Sequence, residues 1–309
     1  MMRRLILAAS AAIALSGLTF FASGSEAHAD GPRSSLAAPI PGRAAAVAEA
    51  KAAAAMLYNE QLAGRQTQQA VENLERWLRA LTSEPKRDVI PSSPWHFVVK
   101  GTGPEARLEM NRLQTDYRVY RQINEYYCGP ATVQTILSFL GPEVSATKNH
   151  WGVHDRLTGD PYIDQPMLAS DFWLATDKYH GTMWGDNYVP FTLNAWRGTD
   201  WYVAWGTPRV GGTLTKEGAL AAIKFDTDRG YPIAENVIYS PKTYYPAGFW
   251  PGVTYMHWDT IYGHYMEGDR QMVQIGQTYG GPGLPYEQYQ NVPWDVHWNA
   301  IGEWHGIVW

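Results

Sequence analysis

The stretch Gln122-Ile-Asn-Glu-Tyr-Tyr-Cys-Gly-Pro-Ala131 contains Cys128, the single cysteine of a chain of 309 residues. The apolar residues that follow it recur at steps of three and four, which is the spacing of one buried face of an α-helix. Pro130 fits the first turn of such a helix, where the N–H group that proline lacks has no intrahelical partner. We therefore predict a helix that begins at Cys128, is ended by Gly141-Pro142 and buries these side chains: Val133, Ile136, Leu137 and Leu140.

Cys128 has two interpretations at this point. The N-terminus of a helix offers backbone N–H groups and the positive end of the helix dipole, which favour the nucleophilic thiolate. A free cysteine is, however, commonly a small buried hydrophobic residue. A single cysteine also excludes an intrachain disulfide and an all-cysteine zinc site. The residues around Cys128 leave both interpretations open.

A second segment supplies a candidate base for such a thiol. The stretch Tyr255-Met-His-Trp-Asp-Thr-Ile-Tyr-Gly263 predicts a β-strand that ends at its glycine. Since the side chains of a strand alternate between its two faces, His257 and Asp259 share one face. A lone histidine on a strand is usually structural, so His257 gains a functional interpretation only together with Cys128.

Together the two segments resemble the papain-like cysteine peptidases. The match is closest to the bacteriocin-processing (peptidase C-39-like) family and its secreted bacterial relatives. The features that carry it are a glutamine six residues before Cys-Gly-Pro-Ala, and a His-aromatic pair with a glycine six residues after the histidine. Weaker matches lie between the two segments, at Gly181-Thr182, at Leu193-Asn194 and at Gly230-Tyr-Pro-Ile-Ala234.

The resemblance implies a role for each matched residue. Cys128 would be the nucleophile, and His257 the base that takes its proton and later donates one to the leaving amine. Gln122 would donate a side-chain N–H to the oxyanion hole, with the backbone N–H of Cys128 as the second donor. The alternative for Gln122 is an ordinary surface glutamine. The implied fold packs the cysteine helix on an antiparallel sheet that carries the histidine.

The third catalytic position departs from the family pattern. The family places an aspartate on the strand after the histidine, whereas this chain has Gln277-Thr278 there. A glutamine carbonyl can hold the tautomer of His257, but it cannot stabilise an imidazolium as a carboxylate does. Asp259 is the alternative orienting residue, and we expect it to reach the ring poorly. We therefore predict a cysteine peptidase, with a catalytically impaired domain that binds a peptide or cell-wall ligand as the alternative.

The rest of the chain predicts an α+β protein with a helical N-terminal section. Two helices of unequal length, interrupted near Gly64, are expected between Arg43 and Thr82, because apolar residues there recur at helical spacing. Twelve of the 14 tryptophans lie at or beyond Trp151, among residues that favour short strands and loops. Two further helices are predicted in that region, at Gln165–Lys178 and, after Thr215 as N-cap, at Lys216–Asp228.

The N-terminus predicts export. Met1-Met-Arg-Arg4, an uncharged run to Ser23 and Ala27-His-Ala29 together form a secretory signal, which predicts cleavage after Ala29 and a secreted, extracellular protein. An uncleaved membrane anchor is the alternative. We expect residues 30–92 to be a helical extension or a pro-segment that masks the cleft, and residues 93–309 to form the peptidase-like domain.

Charge argues against nucleic acid as a partner, and the resemblance implies a peptide or protein substrate. A net charge of −5 leaves no positive surplus for binding nucleic acid. No cofactor and no metal are predicted; His257, Asp259 and His264 are conceivable metal ligands, but His257 is better explained as a base. Three aspartates among glycines and prolines could bind calcium, but they lack the EF-hand spacing, so we interpret them as a solvated loop: Asp155, Asp160 and Asp164. The dense aromatic residues are expected to serve mostly as core.

Overall fold

The structure, a computed structural model, describes residues 43–81, 99–100, 107–108, 117, 119–140, 164–197, 199–279 and 287–309. The predicted signal peptide and the leader at 30–42 lie outside the described residues, as do two of the loop aspartates, Asp155 and Asp160. Among the described helices, none combines the length and the apolar character that are needed to cross a membrane.

A six-stranded antiparallel sheet organises the described part of the chain. Its strand order is β3–β8–β4–β5–β6–β7, so that the long strand β5 lies between β4 and β6. The prediction of an α+β protein is confirmed. The strands are β3 (Ala204–Gly206), β4 (Ile233–Tyr239), β5 (Tyr255–Glu267), β6 (Arg270–Gly276), β7 (Tyr289–Pro293) and β8 (Gly306–Val308), beside a separate two-residue pair of β1 (Val99–Lys100) with β2 (Arg107–Leu108).

Eight α-helices accompany the sheet among the described residues. They are α1 (Arg43–Leu62), α2 (Gln68–Leu81), α3 (Cys128–Leu140), α4 (Gln165–Ala169), α5 (Thr176–Tyr179), α6 (Tyr188–Arg197), α7 (Lys216–Thr227) and α8 (Trp294–Gly302). The two unequal helices predicted around Gly64 are confirmed, and Gly64 adopts a φ of 69° between them. Thr215 caps α7 as predicted, because its side chain accepts a hydrogen bond from the backbone N–H of Gly218.

The helix predicted over 165–178 is wrong. The chain forms two short helices there, α4 and α5, separated by a turn in which Ala175 has a φ of 49°. Ser170 ends α4, and the N–H of Trp173 donates to its carbonyl oxygen. The apolar residues of this segment are buried from several sides by tertiary contacts, so their spacing does not report one helical face.

The strand predicted to end at Gly263 continues to Glu267. A register shift between Ile261 and Gly263 marks a bulge in its pairing with β6. A Cβ on Gly263 would lie 2.3 Å from Oε1 of Gln274 on the neighbouring strand. Glycine at this position therefore leaves room for the Gln274 side chain inside the sheet and does not mark a turn.

Helix α3 lies at the centre of the core. All its residues except Ser138 are buried, including the polar residues Thr132, Gln134 and Thr135. The hydroxyl of Thr132 donates to the carbonyl oxygen of Trp258, which ties α3 directly to β5. This contact lies one turn after Cys128 and one residue after His257. The packing of helix on strand thus sets the distance between the two predicted catalytic residues.

Candidate active site

Cys128 is the first residue of α3, as the sequence predicts, and its side chain is 8% exposed. The next residue, Gly129, is tightly covered, since a Cβ there would lie 2.0 Å from Oγ1 of Thr182. The hydroxyls of Thr182 and Thr176 are themselves hydrogen-bonded at 2.6 Å. The glycine after the cysteine therefore lets the start of the helix lie directly against this threonine pair.

His257 lies on β5, and its ring contacts three oxygen atoms through Nε2. These are Oε1 of Gln277 at 3.1 Å, Oδ1 of Asp259 at 3.1 Å and Oγ1 of Thr278 at 3.2 Å. The ring also lies close enough to Cys128 for the thiol to affect its protonation. The structure thus brings together Cys128, His257 and Gln277, which are far apart in sequence.

The expectation that Asp259 reaches the His257 ring poorly is wrong. Two residues apart on a strand, the side chains share a face about 7 Å apart, and both are long enough to close that gap. The carboxylate is held in place from both sides. The backbone N–H of Thr278 donates to Oδ1 at 3.1 Å, and the hydroxyl of Tyr239 donates to Oδ2 at 2.7 Å. His257 therefore has both a carboxylate and an amide carbonyl at one ring nitrogen.

The protonation of His257 follows from these neighbours. Burial by itself lowers the pKa of His257, because a buried site disfavours the charged ring. The negative charge of Asp259, its hydrogen bond and the adjacent Cys128 outweigh burial and raise the pKa from the ordinary 6.5 to about 10. A protonated imidazole beside a thiol is the arrangement that stabilises a thiolate.

Gln122 lies beside this site and is 9% exposed, so it is not a surface glutamine. Its backbone N–H donates to the carbonyl oxygen of Thr278 at 2.9 Å, which ties the loop before α3 to the residue that contacts His257. Its side-chain Nε2 donates to the carbonyl oxygen of Asn124 at 2.7 Å. Oε1 is buried and has no hydrogen-bond partner among the described residues. The predicted oxyanion donor is thus near the site, with one of its amide hydrogens directed to its own loop.

Aromatic side chains that the sequence did not single out surround the His257 ring. Phe249 has its ring centroid 5.3 Å away, Tyr279 6.1 Å and Tyr239 6.2 Å. Tyr239 could have been found from the register, because antiparallel pairing of β4 with β5 brings it near the site. The high density of aromatic residues in this part of the sequence is only a weak indication of a site, since most of the other aromatic residues pack in the core.

The other residues that the sequence analysis named make hydrogen bonds that hold elements of the fold together. His264 contacts Asp228 through Nε2 at 2.9 Å, and Asp164 caps α4 by accepting from the N–H of Met167. The carbonyl oxygen of Thr182 accepts from Nε1 of Trp258, and the side chain of Asn194 bonds the backbone of Tyr202. Within the described ranges, no group of three or more histidine, cysteine or acidic residues could hold a metal ion.

Comparisons with known proteins give no relative. No protein-family model matches the chain, and no curated protein and no solved structure is significantly similar to it.

Proposed function

We propose that this protein is a cysteine peptidase of the papain-like class, secreted, which cleaves peptide bonds through a thioester on Cys128. One observation carries the proposal. The only thiol of the chain lies at the N-terminus of a buried helix and next to His257, whose Nε2 is held by Asp259 and Gln277. A nucleophile, a base and a group that orients the base are the three parts that covalent catalysis by cysteine requires.

The chemistry assigns each group one step. The Cys128 thiolate attacks the carbonyl carbon of the substrate, and the C–S bond forms as negative charge develops on the oxygen. The first N–H groups of α3, which have no acceptor inside the helix, face that charge together with the helix dipole. Protonated His257 then gives its proton to the leaving amine as the C–N bond breaks. Water, deprotonated by the now neutral ring, hydrolyses the thioester.

Thiol alkylation tests this proposal without a known substrate. An ordinary cysteine is only a few per cent thiolate at pH 7, whereas an imidazolium-paired one is largely thiolate. We expect iodoacetamide to modify Cys128 at pH 7 about thirtyfold faster in the wild type than in His257→Ala. His264→Ala is the matched control, because it removes a histidine of the same strand that binds Asp228 instead. Slow alkylation that is equal in all three proteins overturns the proposal.

A second candidate is a papain-like domain that binds a peptide or cell-wall ligand without cleaving it. Two observations favour it: Nε2 of Gln122 donates to Asn124, and the Cys128 side chain is only 8% exposed. This function predicts that a displayed peptide library is captured equally well by the wild type and by Cys128→Ala, with no cleaved product. Capture by Cys128→Ala followed by cleavage in the wild type supports the peptidase.

A further inference from the structure

A second buried histidine–carboxylate pair lies beside the candidate active site. Glu235 on β4 has its Oε2 2.6 Å from Nε2 of His297 on α8, and both side chains are 0% exposed. The other ring nitrogen of His297 lies 2.6 Å from the hydroxyl of Tyr244. The proposed chemistry uses none of these three residues, so their presence in the core requires another explanation.

The strand register connects this pair to Asp259. In the antiparallel pairing of β4 with β5, Glu235 lies directly opposite Asp259. Residues that are paired in this way have their Cβ atoms about 5 Å apart on the same face of the sheet. Tyr239, which donates to Asp259, also packs its ring on Tyr244 with the centroids 5.4 Å apart. Two carboxylates and two histidines therefore share one buried volume.

Two adjacent buried carboxylates repel each other unless positive charge balances them. Each carboxylate has a histidine ring nitrogen within hydrogen-bond distance: Nε2 of His297 lies 2.6 Å from Glu235, and Nε2 of His257 lies 3.1 Å from Asp259. The pKa of Glu235 is raised overall, because burial outweighs the other effects; His297 lowers it through charge and a hydrogen bond, Asp259 raises it, and His257 lowers it. Oε1 of Glu235 has no hydrogen-bond partner among the described residues, so its charge depends on the contact with His297.

We propose that Glu235 and His297 are positioning residues of the site: their pair keeps a second negative charge opposite Asp259, which holds His257 protonated and directed at Cys128. Only the consequence for catalysis rests on the proposed function. The arrangement itself is a property of the fold. Neither residue touches the thiol or the His257 ring, so the effect on His257 comes from the negative charge of Glu235 acting across the buried volume.

The other titratable groups on the elements packed around Glu235 are already paired or are neutral. The β5 side presents His257 and Asp259, and the β8 side presents Ile307, which pairs with Glu235. On β4 itself, Asn236 bonds His305. Helix α7 packs on β4 and β5, and its buried Asp226 is paired with Lys51. Tyr239 and Tyr244 are neutral hydroxyl groups near Glu235, because the pKa of each is raised well above its ordinary value, first by burial.

Titration of His257 in Glu235→Gln tests the proposal. We expect the midpoint of the His257 ring, followed by NMR on histidine-labelled protein, to fall by about one pH unit relative to the wild type. His297→Gln should lower it by a similar amount, and the double variant by no more than either single one, since the residues act as a unit. Asp228→Asn is the matched control, because it neutralises a carboxylate that is bound to a different histidine, His264. An unchanged midpoint in Glu235→Gln overturns the inference.

The ionisation of Glu235 can also be measured in the wild type, which does not depend on whether the variants fold. The carboxyl carbon of Glu235, observed by NMR at pH 7, should have the chemical shift of an ionised group, and a protonated group there overturns the inference. The rate of Cys128 alkylation by iodoacetate separates this outcome from failure of the proposed function. A thiol that reacts slowly in every protein overturns the peptidase, whereas a fast thiol with no shift in Glu235→Gln overturns only the role of the pair.

Discussion

At the scale of single residues, the protonation of His257 depends on two opposing effects, burial and the charge of its neighbours. A buried imidazole in an apolar setting loses its proton, but here a carboxylate lies 3.1 Å from Nε2. The absence of an aspartate at position 277 suggested an impaired site. The structure instead places Asp259 of the same strand at the ring, in addition to Gln277. The carboxylate function and the amide function are thus divided between two residues.

This division predicts different effects for two substitutions. Asp259→Asn removes the charge that raises the pKa of His257, while burial still lowers it, so the ring becomes neutral near pH 7. We expect the rate of Cys128 alkylation by iodoacetamide at pH 7 to fall at least about tenfold in Asp259→Asn. Gln277→Leu, which removes only a neutral acceptor, should lower it less. The reverse ranking would show that Gln277 is the main orienting residue.

The raised pKa of His257 also predicts that the stability of the fold decreases as the pH rises above neutrality. The folded pKa of about 10 lies above the ordinary 6.5, so the folded state binds a proton that the unfolded state has lost between these values. The stabilisation from His257 is fully present below pH 6.5 and is lost as the pH rises towards 10. Urea unfolding measured from pH 6 to 10 should show this decline in the wild type and a smaller one in Asp259→Asn.

At the scale of elements, the start of α3 depends on a close contact between a helix and a loop. Gly129 has Thr182 directly over its Cα, and Thr182 is held by Thr176 and by Trp258 of β5. The Cys-Gly pair is therefore a packing requirement as well as a motif. Any side chain at Gly129 pushes apart the elements that position Cys128 and His257.

Gly129→Ala tests this contact. The added Cβ would meet Oγ1 of Thr182 at 2.0 Å, and overpacking of this kind typically costs about 1–3 kcal/mol of unfolding free energy. We also expect slower alkylation of Cys128, because the start of the helix is displaced. Gly181→Ala is the matched control, since no atom lies within 4 Å of a Cβ there. Equal stability and reactivity of the two variants would contradict this role of Gly129.

At the scale of the whole molecule, α1 is part of the same core as the sheet. Lys51 of α1 is fully buried, contacts Asp226 of α7 at 3.0 Å and donates to the carbonyl oxygen of Trp201. Further along α1, the hydroxyl of Tyr58 donates to Asp228 at 2.7 Å. A pro-segment that is removed would leave a buried carboxylate without its cation. We therefore predict that residues 43–81 stay with the mature protein.

Lys51→Met measures how firmly α1 is held. Removing one partner of a buried ion pair typically costs about 3–5 kcal/mol, because the other charge stays behind without compensation. Urea unfolding should show this loss, and the double variant Lys51→Met/Asp226→Leu should recover part of it. Lys178→Met, on an exposed residue, is the control. A change below about 1 kcal/mol, or an intact mass of the protein from its native source that lacks α1, would contradict the retention of this helix.

The sequence by itself determined the elements whose pattern is local. These are α3, α7 with its Thr215 cap, the pair α1 and α2 around Gly64, and a strand through His257, because each depends on spacing and on residues a few positions apart. It missed α6, most of whose residues are buried without one clear face, and α8, although the buried residues Trp294, His297 and Ala300 of α8 recur at helical spacing. It also ended β5 too early, because Gly263 is paired with Gln274 of the neighbouring strand and does not mark a turn.

Only the tertiary structure decided how the site is assembled. The contact of Asp259 with His257, the pairing of Glu235 opposite Asp259 and the burial of Lys51 against Asp226 depend on strand register and helix packing. These are set by residues far apart in the chain, and no local pattern contains them. The sequence thus indicated which groups are candidates for chemistry, and the fold determined the protonation of His257, because protonation depends on burial and on neighbours that only the folded chain supplies.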